Sequence, residues 1–191
     1  GYTGSQISYR TYHINYFERT IIHENIPSFK SEPYSACDCK GKITHQLISL
    51  AYPNSPIQTF AETYEELNKE LLESETFGIT LDNGKFINDL ISFEDNETQL
   101  EKATKIHQYF IDNVSFNGNN AFTTTKSGDN LFEGGQGNVG DINLNYIATL
   151  NHAGIPTNHV ILSTRQNGTL NPIMPDYAQF NYVVALSQIN G

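Results

Sequence analysis

The feature that most restricts what this chain can fold into is the segment from Gly134 to Pro156. Three glycines in four positions, Gly134-Gly135-Gln136-Gly137, stand directly before a run with helical periodicity. Val139, Ile142, Tyr146, Ile147 and Leu150 fall on one face of that run. Gly154 and Pro156 then stop it, because glycine adopts the left-handed cap conformation and proline cannot continue a helix. The sequence therefore predicts a helix over about 139–153 with an apolar face to bury. Two β-patterned stretches follow, at 158–164 and 180–189. They are separated by the turn Gln166-Asn167-Gly168 and a loop over 172–176. A helix packed on strands, with no βαβ alternation, places the chain in the α+β class.

Upstream, more helices are marked by their caps. Thr63-Tyr64-Glu65-Glu66 is a capping box, with Thr63 as N-cap and Glu66 three residues on. Leu67, Leu71 and Leu72 extend an apolar stripe that ends near Phe77-Gly78. A short helix is expected from Lys85 to Phe93, with Phe86, Ile87, Leu90 and Ile91 turned inward. Asn96-Glu97-Thr98-Gln99 opens the clearest helix. There Leu100, Ala103, Ile106, His107, Phe110, Ile111 and Val114 recur at spacings of three and four. Residues 117–138 are polar and glycine-rich and read as a long loop, the kind of segment that often forms a site or a lid. Before all of this, residues 6–52 look β-rich, and Pro53-Asn54-Ser55-Pro56 is a turn and a plausible boundary. Two regions are expected, 1–55 and 56–191.

Composition excludes several classes of function. The chain has 191 residues, of which 38% are hydrophobic, 12% aromatic and 17% charged, so it is too aromatic and too weakly charged for disorder. Its formal charge of -10 repels a phosphate backbone, so nucleic acid is not an expected partner. No apolar run approaches the ~20 residues of a membrane-spanning segment. No signal peptide is visible, and because the chain starts at Gly1 rather than Met, Gly1 reads as either a tag remnant or a processing scar left by a removed signal. Asn190-Gly191 reads as the first half of a hairpin turn, so a truncated C-terminus is expected.

Reactive residues are sparse. Cys37-Asp38-Cys39 is too short a loop for an unstrained disulfide, and only His45 is near enough to join a metal site. The other histidines, His13, His23, His107, His152 and His159, show no ligand spacing. No metal and no cofactor is therefore expected. His107 reads as a residue of the helix surface, and His159 as one facing of a strand. The glycine run before Val139 resembles an anion-binding helix start. It lacks the Rossmann spacing and the P-loop lysine, and the chain is acidic. Asp129, Glu133 and Asp141 fit helix-dipole roles better than a glycosidase pair. Asp82-Asn83-Gly84 lacks the remaining ligands of a calcium loop. Asn96, Asn113 and Asn167 lie in glycosylation sequons.

Several segments together resemble the transglutaminase-like superfamily, relatives of papain-type proteases. Residues 103–116 are similar to the helix and strand that open such domains, and Gly137-Asn138-Val139-Gly140-Asp141-Ile142-Asn143-Leu144 to the nucleophile segment. Leu150-Asn151-His152-Ala153-Gly154-Ile155-Pro156-Thr157 resembles the family's L-x-x-A-G-I-P-A helix exit. Val160-Ile161-Leu162-Ser163-Thr164-Arg165 and Gln179-Phe180-Asn181-Tyr182-Val183-Val184 resemble the strands that follow. Ile26-Pro27-Ser28-Phe29-Lys30-Ser31-Glu32-Pro33-Tyr34 looks like the end of a DUF3857-type β-sandwich, a domain that precedes transglutaminase-like domains in proteins common among Bacteroidetes. The resemblance therefore implies the C-terminal part of a β-sandwich over 1–55. It implies a transglutaminase-like domain, helices on an antiparallel sheet, over 56–191.

The family's chemistry uses a cysteine at a helix N-terminus, a histidine on a strand, and an Asp or Asn beyond it. The helix end and the imidazolium lower the thiol pKa, and the third group orients the ring. On this resemblance the nucleophile position holds Val139 and the histidine position Asn181, while the third position lies past Gly191. Val has no nucleophilic atom, and no cysteine occurs after Cys39. The resemblance thus implies a non-catalytic module. It would bind a protein, peptide or glycan, or serve a structural role in a larger cell-envelope protein, at the periplasm or cell surface. Asn138, Asp141, Phe180 and Tyr182 are the expected cleft-lining residues, with Tyr177, Phe122 and Phe132 adding aromatic surface. The alternative is a displaced-site hydrolase or acyltransferase acting on amide bonds, with His159 the one imidazole in reach and Thr123, Thr124, Thr125 and Ser127 as hydroxyls. Hydrogen-bonding residues such as Asn138, Asp141 and Asn181 around the nucleophile position would suit ligand binding. Apolar filling would favour a structural role.

Overall fold

A computed structural model describes residues 20, 22, 24, 25, 28, 49–52, 54–81 and 84–189. The strands expected over 6–48, both cysteines, His13, His23, His45, most of the Asp82-Asn83-Gly84 tripeptide and the terminal Asn190-Gly191 lie outside the described residues. Of the strand expected over 42–52, the described part is β1, Ser49–Leu50, paired antiparallel with β2, Gln58–Thr59.

The Thr63–Glu66 capping box forms as the sequence predicts, while the helix signalled by Asn96-Glu97-Thr98-Gln99 is capped two residues later. Thr63 accepts the Glu66 amide, the Glu66 carboxylate accepts the Thr63 amide, and α1 runs Tyr64–Glu73. It stops sooner than its stripe suggested, at Ser74, and Leu72 is exposed. A separate short helix α2, Gly78–Leu81, follows. The helix expected from Lys85 to Phe93 is instead a 3-10 segment over Lys85–Asp89, with Phe86 and Ile87 buried and Leu90 exposed. Thr98 and Glu101 cap α3, Gln99–Asn113. Its buried stripe is Ala103, Ile106 and Phe110, whereas Leu100 and Ile111 face solvent. The helix rests one face on the body, so the wider apolar arc read from the sequence is not all used.

The long polar loop contains more structure than its composition suggested. Helix α4, Gly128–Gly134, lies inside it, held by buried Leu131 and closed by Gly135 at φ +60°. Glycine reaches that left-handed conformation at no steric cost. A two-residue strand β4, Gln136–Gly137, then pairs parallel with β3, Ser115–Phe116, and joins the end of α3 to the start of α5.

Helix α5 spans Val139–His152 and is the element around which the rest packs. One side joins a cluster with Leu67, Leu71, Phe77 and Val183 through Val139, Leu144 and Ile147. The other joins a cluster with Ile87, Ile106, Phe110 and Leu131 through Leu150. Burial on two sides explains why its sequence is apolar well beyond one stripe. Gly154, at φ +80°, terminates it, and the Ile155 amide closes back on the Leu150 carbonyl at 2.9 Å. Strand β5, Thr157–Leu162, then pairs antiparallel with β6, Tyr182–Ser187, from Thr157↔Ser187 to Leu162↔Tyr182. Thr157, Val183 and Ala185 face α5, while Val160 and Leu186 face outward. Helices packed on small, mainly antiparallel sheets are the α+β architecture expected.

Candidate functional site

The candidate site is built where the first turn of α5 meets the loop before it and the start of β6. Val139 begins the helix, with Asn138 as N-cap and Asp141 as the third residue of a capping box. The Asn138 side chain accepts the Asp141 amide at 2.7 Å, and the Asp141 carboxylate accepts the Asn138 amide at 2.9 Å. Gly140 lets the loop come close, since a Cβ there would sit 2.0 Å from the Thr123 carbonyl oxygen. No larger residue fits that approach.

That approach puts residues 124–126 over Asp141. The side chains of Thr124 and Thr125 and the amides of Thr125, Lys126 and Asn138 all donate to its carboxylate, from 2.6 to 3.2 Å. Asp141 is 1% exposed, and no cation contacts its carboxylate among the described residues. Burial alone would raise its pKa, but the amides of Asn138 and Thr125 and the hydroxyls of Thr124 and Thr125 outweigh it, so the carboxyl is held below its ordinary value. The group is a fixed anion tying a loop to a helix. A general acid would need the opposite shift.

Val139 points into the apolar cluster and is 4% exposed. Its amide donates to the Asn119 carbonyl at 3.3 Å. Asn181 stands one residue before β6. Its side chain accepts the Thr164 amide at 2.9 Å and donates to the Thr164 hydroxyl at 2.8 Å, clamping the mouth of the β5–β6 hairpin. Asn138 through its Oδ1, Asp141 through its carboxylate and Asn181 through its side-chain amide therefore bond within the fold.

The aromatic residues divide. Phe122 stacks on Tyr177, and Phe180 meets Phe122 and Tyr64 edge-on. Tyr182 is half-buried against the same cluster. The loop carrying Tyr177 is fastened to α1 twice. Tyr64 donates to the Asn171 carbonyl at 2.7 Å, and Tyr177 donates to the Glu70 carboxylate at 2.6 Å. Burial and the neighbouring Glu70 carboxylate push the Tyr177 hydroxyl pKa up, so it stays a donor. Phe132 is elsewhere, packed with Phe86, Tyr109 and Phe110. It is not part of this surface.

His159 faces inward from β5 and meets the Phe77 ring edge-on at 4.7 Å. Burial pushes its pKa down, so the ring is neutral near neutral pH. Its ring nitrogens meet no hydroxyl or thiol among the described residues. His107 is exposed beside Tyr146, and His152 contacts Asn88 at the far end of α5. The Thr124 and Thr125 hydroxyls, weighed above as nucleophiles, are donors to Asp141 instead.

The sequence reading passed over three asparagines of α5. Asn143 donates to the Val183 carbonyl at 2.7 Å, fastening α5 to β6. Asn145 donates to the Asp141 and Lys126 carbonyls. Asn151 donates to the Thr157 carbonyl and accepts the Thr157 amide, fixing the start of β5. The available signal was asparagine inside an apolar helix, a costly placement unless the amide is bonded.

A comparison with curated proteins gives no match. Among solved structures, the chain is similar to a crystal structure of a "putative protease" from Parabacteroides distasonis ATCC 8503. The TM-score is 0.48 and the identity 16%, over 77% of this chain and 29% of that one. The chain thus spans less than a third of that protein's length. The model of the transglutaminase-like superfamily core matches residues 85–185. That match includes α3, the capped start of α5, the Gly-Ile-Pro exit and most of the β5–β6 hairpin. It takes in more than half of the sequence, and the chain belongs to the transglutaminase-like superfamily.

Proposed function

We propose that this is a non-catalytic transglutaminase-like module with a structural role in a longer cell-envelope protein. The observation that carries the reading is the burial of Val139. The residue at the proposed nucleophile position is a hydrocarbon side chain packed into the core at the first turn of α5. Asn181, at the proposed histidine position, is committed to Thr164, and Asn138 and Asp141 to one another and to the 124–126 turn. The matched span contains no cysteine. With apolar filling around Val139 and these side chains bonded within the chain, a structural role is favoured over capture of a peptide or glycan in the old cleft. The assignment of residues 1–55 to the end of a DUF3857-like β-sandwich, and of the protein to the periplasm or cell surface, belongs to the same proposal and rests on the resemblance.

The test is an assay of the intact chain against glutamine-donor and amine-acceptor peptides and a panel of peptide amides. The expected result is no turnover above the blank. Turnover abolished by iodoacetamide would overturn the reading in favour of Cys37 or Cys39. Turnover insensitive to iodoacetamide but lost in Thr125→Ala or His159→Gln would overturn it in favour of a displaced hydroxyl site.

A further inference from the structure

We propose that Asn117 is a site of spontaneous side-chain modification, converting through a succinimide to aspartate and isoaspartate, and that the change loosens the start of α5. Asn117 precedes Gly118 in an exposed loop directly after β3. The Asn119 amide donates to Asn117 Oδ1 at 2.9 Å, which folds the side chain back along the chain and draws electrons from Cγ. A donor already at that oxygen also stabilises the charge that develops on it during attack. The Gly118 amide makes no hydrogen bond within the described residues. A Cβ at Gly118 would meet no atom of any non-adjacent residue within 4 Å, so the loop is open around this glycine.

The chemistry needs only water. The Gly118 nitrogen attacks Asn117 Cγ and loses its proton, and the side-chain nitrogen departs as ammonia. Water then opens the ring. Attack at Cγ gives aspartate, and attack at the former backbone carbonyl gives isoaspartate, which carries the main chain through Cγ. The isoaspartyl form adds a methylene to the backbone between two anchors. The Asn117 amide donates to the Gly137 carbonyl at 3.0 Å, and the Asn119 carbonyl accepts the Val139 amide at 3.3 Å. Lengthening the chain between them strains both, and the second is a bond to the first residue of α5.

Among the described residues, a second Asn-Gly pair provides an internal control. At Asn167-Gly168 the glycine amide donates to the Thr164 carbonyl at 3.2 Å. The Asn167 side-chain nitrogen is held by Ser163 Oγ and the Gln179 carbonyl at 3.1 and 2.9 Å. Both the attacking atom and the leaving group are restrained there.

The experiment is peptide mapping by mass spectrometry of the folded chain aged in mildly alkaline buffer, with isoaspartyl methyltransferase labelling. Asn117 is expected to convert at least about tenfold faster than Asn167, the ratio that one of these protecting hydrogen bonds alone would set. In urea the two sites should converge, since the reacting dipeptide is the same. Asn117→Gln should remove the fast signal. In the aged protein the Val139 amide should exchange hydrogen faster. Folded protein in which Asn117 converts no faster than Asn167 would overturn the site. An isoaspartyl form with unchanged Val139 protection would overturn its effect on α5.

Discussion

Helices α3 and α5 open with the same device and use it differently. Each has a capping box in which the N-cap side chain and the third residue exchange bonds with the backbone. In α3 the pair is Thr98 and Glu101, both exposed. In α5 it is Asn138 and Asp141, both buried, and Asp141 also takes donors from three consecutive residues of a distant loop. Removing an exposed cap lets water replace the lost partner. Removing the buried one leaves several donors with neither partner nor water. A motif that looks alike in the sequence is thus a local helix signal in one place and a tertiary joint in the other.

The largest test of this contrast is Asp141→Ala. It should destabilise the fold by more than about 3 kcal/mol, because the amides and hydroxyls facing the carboxylate stay buried and unpaired. Urea denaturation measures it, and a cost near that of an exposed cap would remove the distinction. Val139→Ala comes next, at about 2 kcal/mol for two buried methyl groups and the space they leave. Nearly neutral unfolding data there would mean that the first turn of α5 is not packed as described.

The caps can then be compared directly. Asn138→Ala should cost close to 2 kcal/mol, the upper end for an N-cap, and Thr98→Ala about 1 kcal/mol. Equal values, read from matched thermal or urea melts, would show that burial adds nothing.

The smallest effect is in pH. The folded pKa of Asp141 lies below its ordinary value, so its contribution is complete above the unfolded carboxylate range. It is lost as pH falls through the depressed folded value. The stability gap between the native chain and Asp141→Asn should therefore be constant at neutral pH and shrink in acid. A gap that widens on acidification would reverse the sign assigned to this group.

Much of the helical framework was legible in the sequence, because its signals are local. Thr63 with Glu66 marks a helix start wherever it sits, Asn96-Glu97-Thr98-Gln99 marked the start of α3 to within two residues, and Gly154 with Pro156 marks an end. Strands β5 and β6 were legible as β-patterned stretches on either side of a turn and a loop, and their pairing came from the structure. Helix α4 was not, because its few apolar residues sit in a glycine-rich stretch and its stability comes from burying Leu131 against other elements. The apolar residues of α3 were legible as a stripe but not which of them would be covered, since Leu100 and Ile111 differ from Ile106 only in what stands opposite.

At the candidate site the division is sharper. Sequence alone determined that no cysteine follows Cys39, that Val139 begins a helix and that glycine precedes it. These are facts of residue type and short-range geometry. Only the tertiary structure decided what the polar residues do. Asn138 and Asp141 read as lining for a cleft, and Thr124 and Thr125 as free hydroxyls. The close approach at Gly140 brings them into one buried set of hydrogen bonds. Asn181 meets Thr164 for the same kind of reason, because strands β5 and β6 pair in a register that sets the two opposite each other. Whether a polar side chain faces a ligand or another part of its own chain depends on contacts between residues far apart in sequence, and no local pattern records them.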